Sequence, residues 1–317
     1  MRGYFIIFFF FLISQALVAQ VDSTYIGSIE KKFAIKGYFG QSFVMLMHRA
    51  GNNDDYTYAP NNPISMGGGF MWKNTALSLS FGYGFSFLRD KERGKTKAFD
   101  FQFHSYGRMF TYDIYIQKYK GFYNDDKGII LYPDLKIEQY GLNWQYVFNK
   151  RKFSYMAAFD QNERQRKSAG SFLLGGGVYQ SKIESDSAFV VDDKKVFRNF
   201  QFGLNTGYAH TWVLGRRWFV SGSLSMGINF GTEKFNKIFK QPFEVSPSIL
   251  TRIAAGYNRD SWALGFSFVD NILFHSFSNE SNISLNSGNF QFTFIKRFDT
   301  IPFLPEKYLN LINKLFP

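Results

Sequence analysis

The sequence predicts an all-β fold, an up-and-down antiparallel transmembrane β-barrel of about twelve strands, and three observations carry that expectation. Short segments alternate large apolar with small polar side chains. Tight turns alternate with long polar loops. After residue 13, no stretch comes near the roughly 20 apolar residues that a membrane helix needs, which leaves strands as the means of crossing.

The alternation is clearest over residues 75–88, where Leu77, Leu79, Phe81, Tyr83, Phe85 and Phe87 interleave with Ala76, Ser78, Ser80, Gly82, Gly84 and Ser86. Successive side chains of a strand point to opposite faces, so this run has two unlike faces. Residues 218–230 repeat the pattern, with Trp218, Val220, Leu224, Met226, Ile228 and Phe230 opposed to Ser221, Ser223, Ser225, Gly227 and Asn229. Similar runs cover 33–47, 64–72, 98–106, 110–119, 135–148, 153–160, 168–181, 200–212, 249–257, 261–269 and 289–298, which makes about thirteen candidate strands. A barrel with both ends on the periplasmic side needs an even number, and the up-down order read from the front conflicts with that read from the back between 153 and 200. Either Gly175-Gly176-Gly177 is a turn that splits one candidate, or one candidate does not cross. Twelve strands are expected, with fourteen the alternative.

Turn residues join neighbours at Lys73-Asn74, Tyr106-Gly107-Arg108, Asn149-Lys150, Gly215-Arg216 and Asn258-Arg259-Asp260. Longer polar segments at 52–62, 89–97, 121–134, 231–247 and 271–287 fall between them, as extracellular loops fall between periplasmic turns in outer-membrane barrels. Composition decides which face meets lipid. Forty Phe and nineteen Tyr bring aromatics to 20%, more than one soluble core of this length would bury. A soluble sandwich or lipocalin-like barrel would present Lys, Glu and Thr outward, whereas here the second face is Ser, Gly, Ala, Asn and Gln and the charges gather in loops such as 89–97. Small neutral side chains suit a lumen, and a wide apolar band suits lipid. Trp72, Trp212, Trp218 and Trp262 stand beside turns, where interfacial girdles belong.

The termini differ from the body. Met1 and Arg2 precede an apolar run over 4–13 and then small residues, the layout of a secretory signal over 1–19, cut after Ala19, although Ser14-Gln15-Ala16 also fits the small-x-small rule. A periplasmic leader is expected over 20–30, the barrel over 31–298 and a tail over 299–317. In that tail Tyr308, Leu311, Ile312 and Leu315 follow Pro305 at the spacing of a short amphipathic helix. The expected location is the outer membrane of a Gram-negative cell. A net charge of +12 would suit nucleic acid, but with an export signal the expected partners are outer-membrane lipid and lipopolysaccharide phosphate, and barrel-assembly machinery is implied.

Little in the sequence points to chemistry. Cysteine is absent, the four histidines are scattered, and no metal site or cofactor is expected. Gly94-Lys95-Thr96 lacks the upstream glycine of a phosphate loop, and the triple glycines at 67–69 and 175–177 lie inside strand patterns. The polar face of 98–106 carries Asp100, Gln102 and His104, beside Thr111, Asp113, Tyr115 and Gln117 of the next strand. Arg108 at the turn and Arg252 from across the barrel are the cations expected to complete a lumenal hydrogen-bond network. A non-enzymatic barrel is therefore expected, either a narrow transport pore or a structural envelope component. The alternative is a lipid-modifying acyl hydrolase or acyltransferase with His104 as base and Asp100 or Asp113 orienting it, for which no motif names the nucleophile.

The segment Phe99-Asp100-Phe101-Gln102-Phe103, with Arg108 and the run from Asp113 through Tyr115, Gln117, Lys118 and Gly121 to Tyr123, resembles an uncharacterised outer-membrane barrel family common in the Bacteroidota. Residues 165–174, with Ser168-Ala169-Gly170-Ser171 inside them, look like that family's second signature. The resemblance covers nearly the whole mature chain. It implies location and fold, and brings no catalytic residues with it.

Overall fold

The computed structural model describes residues 21–29, 31, 33–49, 55–72, 78–186, 195–232, 244–276 and 282–299. The expected signal over 1–19, the Lys73-Asn74 turn and the amphipathic helix of the tail lie outside the described residues. The strands are β1 (Ile26–Ser28), β2 (Phe33–Arg49), β3 (Asp55–Pro60), β4 (Ser65–Trp72), β5 (Ser78–Gly84), β6 (Lys97–Tyr106), β7 (Phe110–Asn124) and β8 (Ile130–Val147). After a helix, α1 (Tyr155–Phe159), come β9 (Glu163–Gln165), β10 (Ala169–Glu184), β11 (Val196–Val213), β12 (Trp218–Thr232), β13 (Glu244–Asn258), β14 (Trp262–Ser276) and β15 (Asn282–Phe298).

Hydrogen bonds close a ring of ten antiparallel strands in the order β2, β3, β7, β8, β10, β11, β12, β13, β14, β15, and β15 returns to β2 along its whole length. The expected count of twelve therefore meets ten strands in the ring. The difference arises at β2, whose two halves have different neighbours. Its Leu46–Arg49 end pairs with β3, inside the stretch 52–62 expected to be loop, and Ala59 and Pro60 of β3 pair with β7. Its Phe33–Gly40 end pairs instead with β4, which carries β5, while β6 hangs from the near half of β7. Among the described residues no backbone ladder joins β5 to β6.

The period of two sets the two faces of the wall. Along β12, Ser221, Ser223, Ser225 and Asn229 are buried while Trp218, Leu224, Met226, Ile228 and Phe230 are exposed. Exposed Leu204 and Phe292 extend this apolar outer surface to β11 and β15. Trp212 and Trp218 flank the β11–β12 turn, where Gly215 takes φ +96°, a conformation that glycine adopts without a Cβ clash. Triple glycine 175–177 lies mid-strand in β10 and is not a turn: a Cβ on Gly175 would sit 1.9 Å from the Trp144 carbonyl oxygen of the neighbouring strand.

One expected strand is a helix. The strand expected over 153–160 fails because Tyr-Met-Ala-Ala-Phe is apolar at every position and too short for either period to show. Ser154 decides the matter by taking the N-cap position, where its Oγ accepts from the Ala157 N–H at 3.0 Å. The turn expected at Asn149-Lys150 instead opens a segment, 148–168, that folds back over the end of the barrel that carries the short turns. There α1 is followed by β9, which pairs with β1 of the N-terminal segment. The conflict in strand direction is thereby removed, since this candidate does not cross.

The interior has three layers. At the turn end, Phe153, Tyr155, Met156 and Ala158 of the inserted segment pack against inward Tyr106, Val147, Leu173 and Ala209. At the loop end, Val44, Leu46, Tyr119, Leu135, Ile137, Ile183, Ile283 and Leu285 form a second buried apolar cluster. Polar side chains fill the level between.

Candidate functional site

The middle layer is organised by an ion pair that spans the lumen. β7 and β13 are five strands apart in either direction around the ring of ten, so Asp113 and Arg252 start from opposite walls. Arg252 Nη2 donates to Asp113 Oδ2 at 2.5 Å, and its Nη1 donates to the Tyr106 hydroxyl at 2.7 Å. Both partners are buried, Arg252 at 2% and Asp113 at 6% exposure, and the pair forms a strut between opposite walls. His104 Nδ1 meets the other carboxylate oxygen, Asp113 Oδ1, at 2.6 Å. One carboxylate thus faces a guanidinium and an imidazole, in hydrogen bonds strengthened by charge.

Asp100 belongs to a different cluster. It accepts from Gln102 Nε2 and Gln117 Nε2, each at 3.0 Å, and from the Tyr119 hydroxyl at 2.7 Å. Gln102 in turn accepts from Asn289 Nδ2 of β15 at 2.7 Å. Of the two carboxylates that could orient His104, only Asp113 does so. Further links cross the lumen from Asn271 to the Tyr115 hydroxyl at 3.1 Å and from Gln145 Nε2 to Ser225 Oγ at 2.8 Å.

Arg108 takes no part in this layer. Its Nη2 donates to Glu163 of the inserted segment, and Glu163 Oε2 accepts from Ser154 Oγ at 2.5 Å, the same hydroxyl that caps α1. Burial raises the Glu163 carboxyl above its ordinary value, with Arg108 and the Ser154 hydrogen bond opposing it. Gln165 completes the latch, its Oε1 accepting from the Ser154 N–H at 3.1 Å and its Nε2 donating to the Lys152 carbonyl at 2.6 Å.

A second anchor lies at Gln161, held at φ +53° and inserted against the wall. Its Nε2 donates to the Leu264 carbonyl at 3.0 Å, and Arg297 Nη2 donates to its own carbonyl at 2.6 Å. The notch that admits it consists of Gly256 and Gly265, directly paired across β13 and β14. A Cβ on Gly265 would lie 2.2 Å from Gln161 Oε1, and one on Gly256 would lie 2.5 Å from its Nε2. Ser154, Gln161 and Glu163 carry no signal in the sequence beyond their polarity, and Gln165 enters only as the first residue of the stretch 165–174.

Solved structures to which the chain is similar include a bacterial polysaccharide outer membrane secretin, 9% identical over 86% of this chain and 100% of that one, with a TM-score of 0.38. The Pseudomonas putida toluene transporter TodX is 8% identical over 88% and 99% of the two chains, with a TM-score of 0.28. Outer-membrane expressed OmpT of Vibrio cholerae is 7% identical over 82% and 98%, with a TM-score of 0.29. Among curated proteins, none matches the sequence. A family model matches residues 20–298, nearly the whole chain, and the protein accordingly belongs to the family described as a domain of unknown function, DUF4421.

Proposed function

We propose that this protein is an integral outer-membrane β-barrel, exported by its N-terminal signal, that stands in the envelope as a closed and non-enzymatic barrel. The observation that carries the reading is the contrast between the two faces of one closed wall. Its outside is apolar along consecutive strands, and its inside is bridged from wall to wall by Arg252 and Asp113. Backbone groups in hydrocarbon must be satisfied within the protein, which a closed ladder achieves. A wide water-filled channel would hold Arg252 and Asp113 apart, whereas they are paired and buried. Lipid and lipopolysaccharide are the partners that suit the outer face and the basic charge, and a strand-built membrane protein implies assembly machinery.

The enzymatic reading needs a hydroxyl activated by His104. Among the described residues, the side-chain hydrogen bond of His104 goes to Asp113 alone, and Asp113 is already engaged by Arg252. The arrangement therefore favours a structural network.

Fractionation and conductance test the proposal together. The mature protein should stay with the outer membrane through carbonate extraction, run differently on gels before and after boiling, and give no steady conductance in planar bilayers. Recovery in the soluble periplasmic fraction, or a large ohmic channel, would contradict it. Lipid turnover by the purified protein that disappears in His104→Ala would favour the enzyme.

A further inference from the structure

Between the inserted segment and the wall formed by β2, β14 and β15 lies a cavity of about 160 Å³, bounded on its far side by β6. By the space one water needs, it holds on the order of ten waters or one small solute. Two opposite charges line it with no ion pair between them among the described residues. Lys36 reaches in from β2 and Asp160 from the C-cap of α1, and neither makes a side-chain hydrogen bond or ion pair among the described residues. Each is half-buried and the two attract one another across the cavity, but they stand beyond ion-pair reach, so a ligand that bears both signs meets them better than a single ion does. A third group adds to this. Arg252 lines the cavity, is 2% exposed, and has a buried Nε with no partner.

We propose that this cavity binds a small zwitterion bearing an ammonium and a carboxylate on one carbon, as a free α-amino acid does. Lys36 takes the carboxylate and Asp160 takes the ammonium. An inorganic anion would answer Lys36 and leave Asp160 unmet, and a metal cation would do the reverse. The size of the third substituent follows from an adjoining recess of about 20 Å³, which shares Lys36 and Asp160 with the cavity and is walled by Phe159, Phe219 and Ile295 together with Gln161, Ser267 and Thr293. That recess admits only a small substituent, so alanine is the simplest probe of the class. Because Asp160 and Phe159 belong to the inserted segment, an occupied site ties that segment to the wall. The site rests on the lumen geometry and is independent of what the barrel does in the envelope.

Equilibrium dialysis of the full mature barrel in detergent against radiolabelled L-alanine tests the proposal. Propionate and ethylamine, which are alanine without its ammonium and without its carboxylate, serve as controls. Saturable binding of one alanine per chain is expected, with each control at least about tenfold weaker, together with a rise in the thermal midpoint. Lys36→Met and Asp160→Asn should each lower alanine affinity by at least about tenfold while keeping the heat-modifiable gel shift. No saturable uptake up to about 10 mM alanine would overturn the proposal, as would propionate binding as well as alanine does. Both of those outcomes are read on the unaltered chain and do not depend on a variant folding. Folded variants that bind alanine as the parent does would also overturn it.

Discussion

Asp113 and Arg252 illustrate how a single residue pair can matter more to this barrel than any of its many phenylalanines. Removing one member of a buried pair leaves the other charged and unmatched, which typically costs about 3–5 kcal/mol. Asp113→Ala should therefore lower the urea midpoint of the barrel in lipid vesicles by a corresponding amount. Phe101, exposed on the outer face, is a contrasting case, and Phe101→Leu should stay within about 0.5 kcal/mol in the same measurement. Glu163 carries a pH dependence whose sign follows from its burial. Its folded carboxyl is raised above the ordinary value of 4.5, so its contribution is fully present below 4.5 and is lost as pH rises through the folded value. Asp160 is raised by burial in the same direction. The segment 148–168 should accordingly show hydrogen-exchange protection, corrected for intrinsic rates, that falls as pH climbs out of the acid range, and Glu163→Gln should flatten that fall. An unchanged profile in the variant would remove Glu163 from the latch.

At the scale of elements, the inserted segment is held by its contacts with the wall and not by its own helix. Five residues of helix are far below the length that is stable alone in water, so α1 exists because Ser154 caps it and the barrel buries it. The glycine notch gives a direct test. A Cβ at position 256 would meet Gln161 Nε2 at 2.5 Å and the Phe219 ring at 2.6 Å, both inside a packed site. Gly256→Ala should speed exchange of the amides of 148–168 several-fold while leaving the heat-modifiable barrel intact, and equal exchange rates would show that Gln161 does not anchor the segment. The elements also show where sequence reading reached its limit. Period two is visible in β12 because fifteen residues sample it repeatedly, but 153–160 is too brief to separate a strand from a helix. β3 went unread for a related reason, since Tyr56 and Tyr58 alternate over only six residues of an otherwise polar stretch.

For the molecule as a whole, the face assigned to each side chain is the property that a membrane setting would test most severely. A one-residue slip in β6 would turn Asp100, Gln102 and His104 to the outside and bring Phe99, Phe101 and Phe103 in, so only one register is compatible with hydrocarbon. The chain has no cysteine, so single substitutions report cleanly. A thiol introduced as Phe101→Cys should react with a lipid-soluble maleimide in vesicles, and one introduced as Gln102→Cys should be protected. The reverse pattern would overturn the register.

By itself the sequence determined the class of fold, most of the strands and the two faces of each, because the alternation of side chains along a strand is a local property repeated many times over. It also placed His104 and Asp113 on one face of adjacent strands, and they meet there at 2.6 Å. Only the tertiary structure decided that Arg252, and not Arg108, reaches Asp113, that Arg108 turns instead to Glu163, that the ring closes through ten strands, and that the candidate strand over 153–160 is the one that does not cross. Each of these depends on ring closure and on which strands end up opposite one another. Those are global properties, fixed when β15 meets β2, and no window of sequence contains both partners.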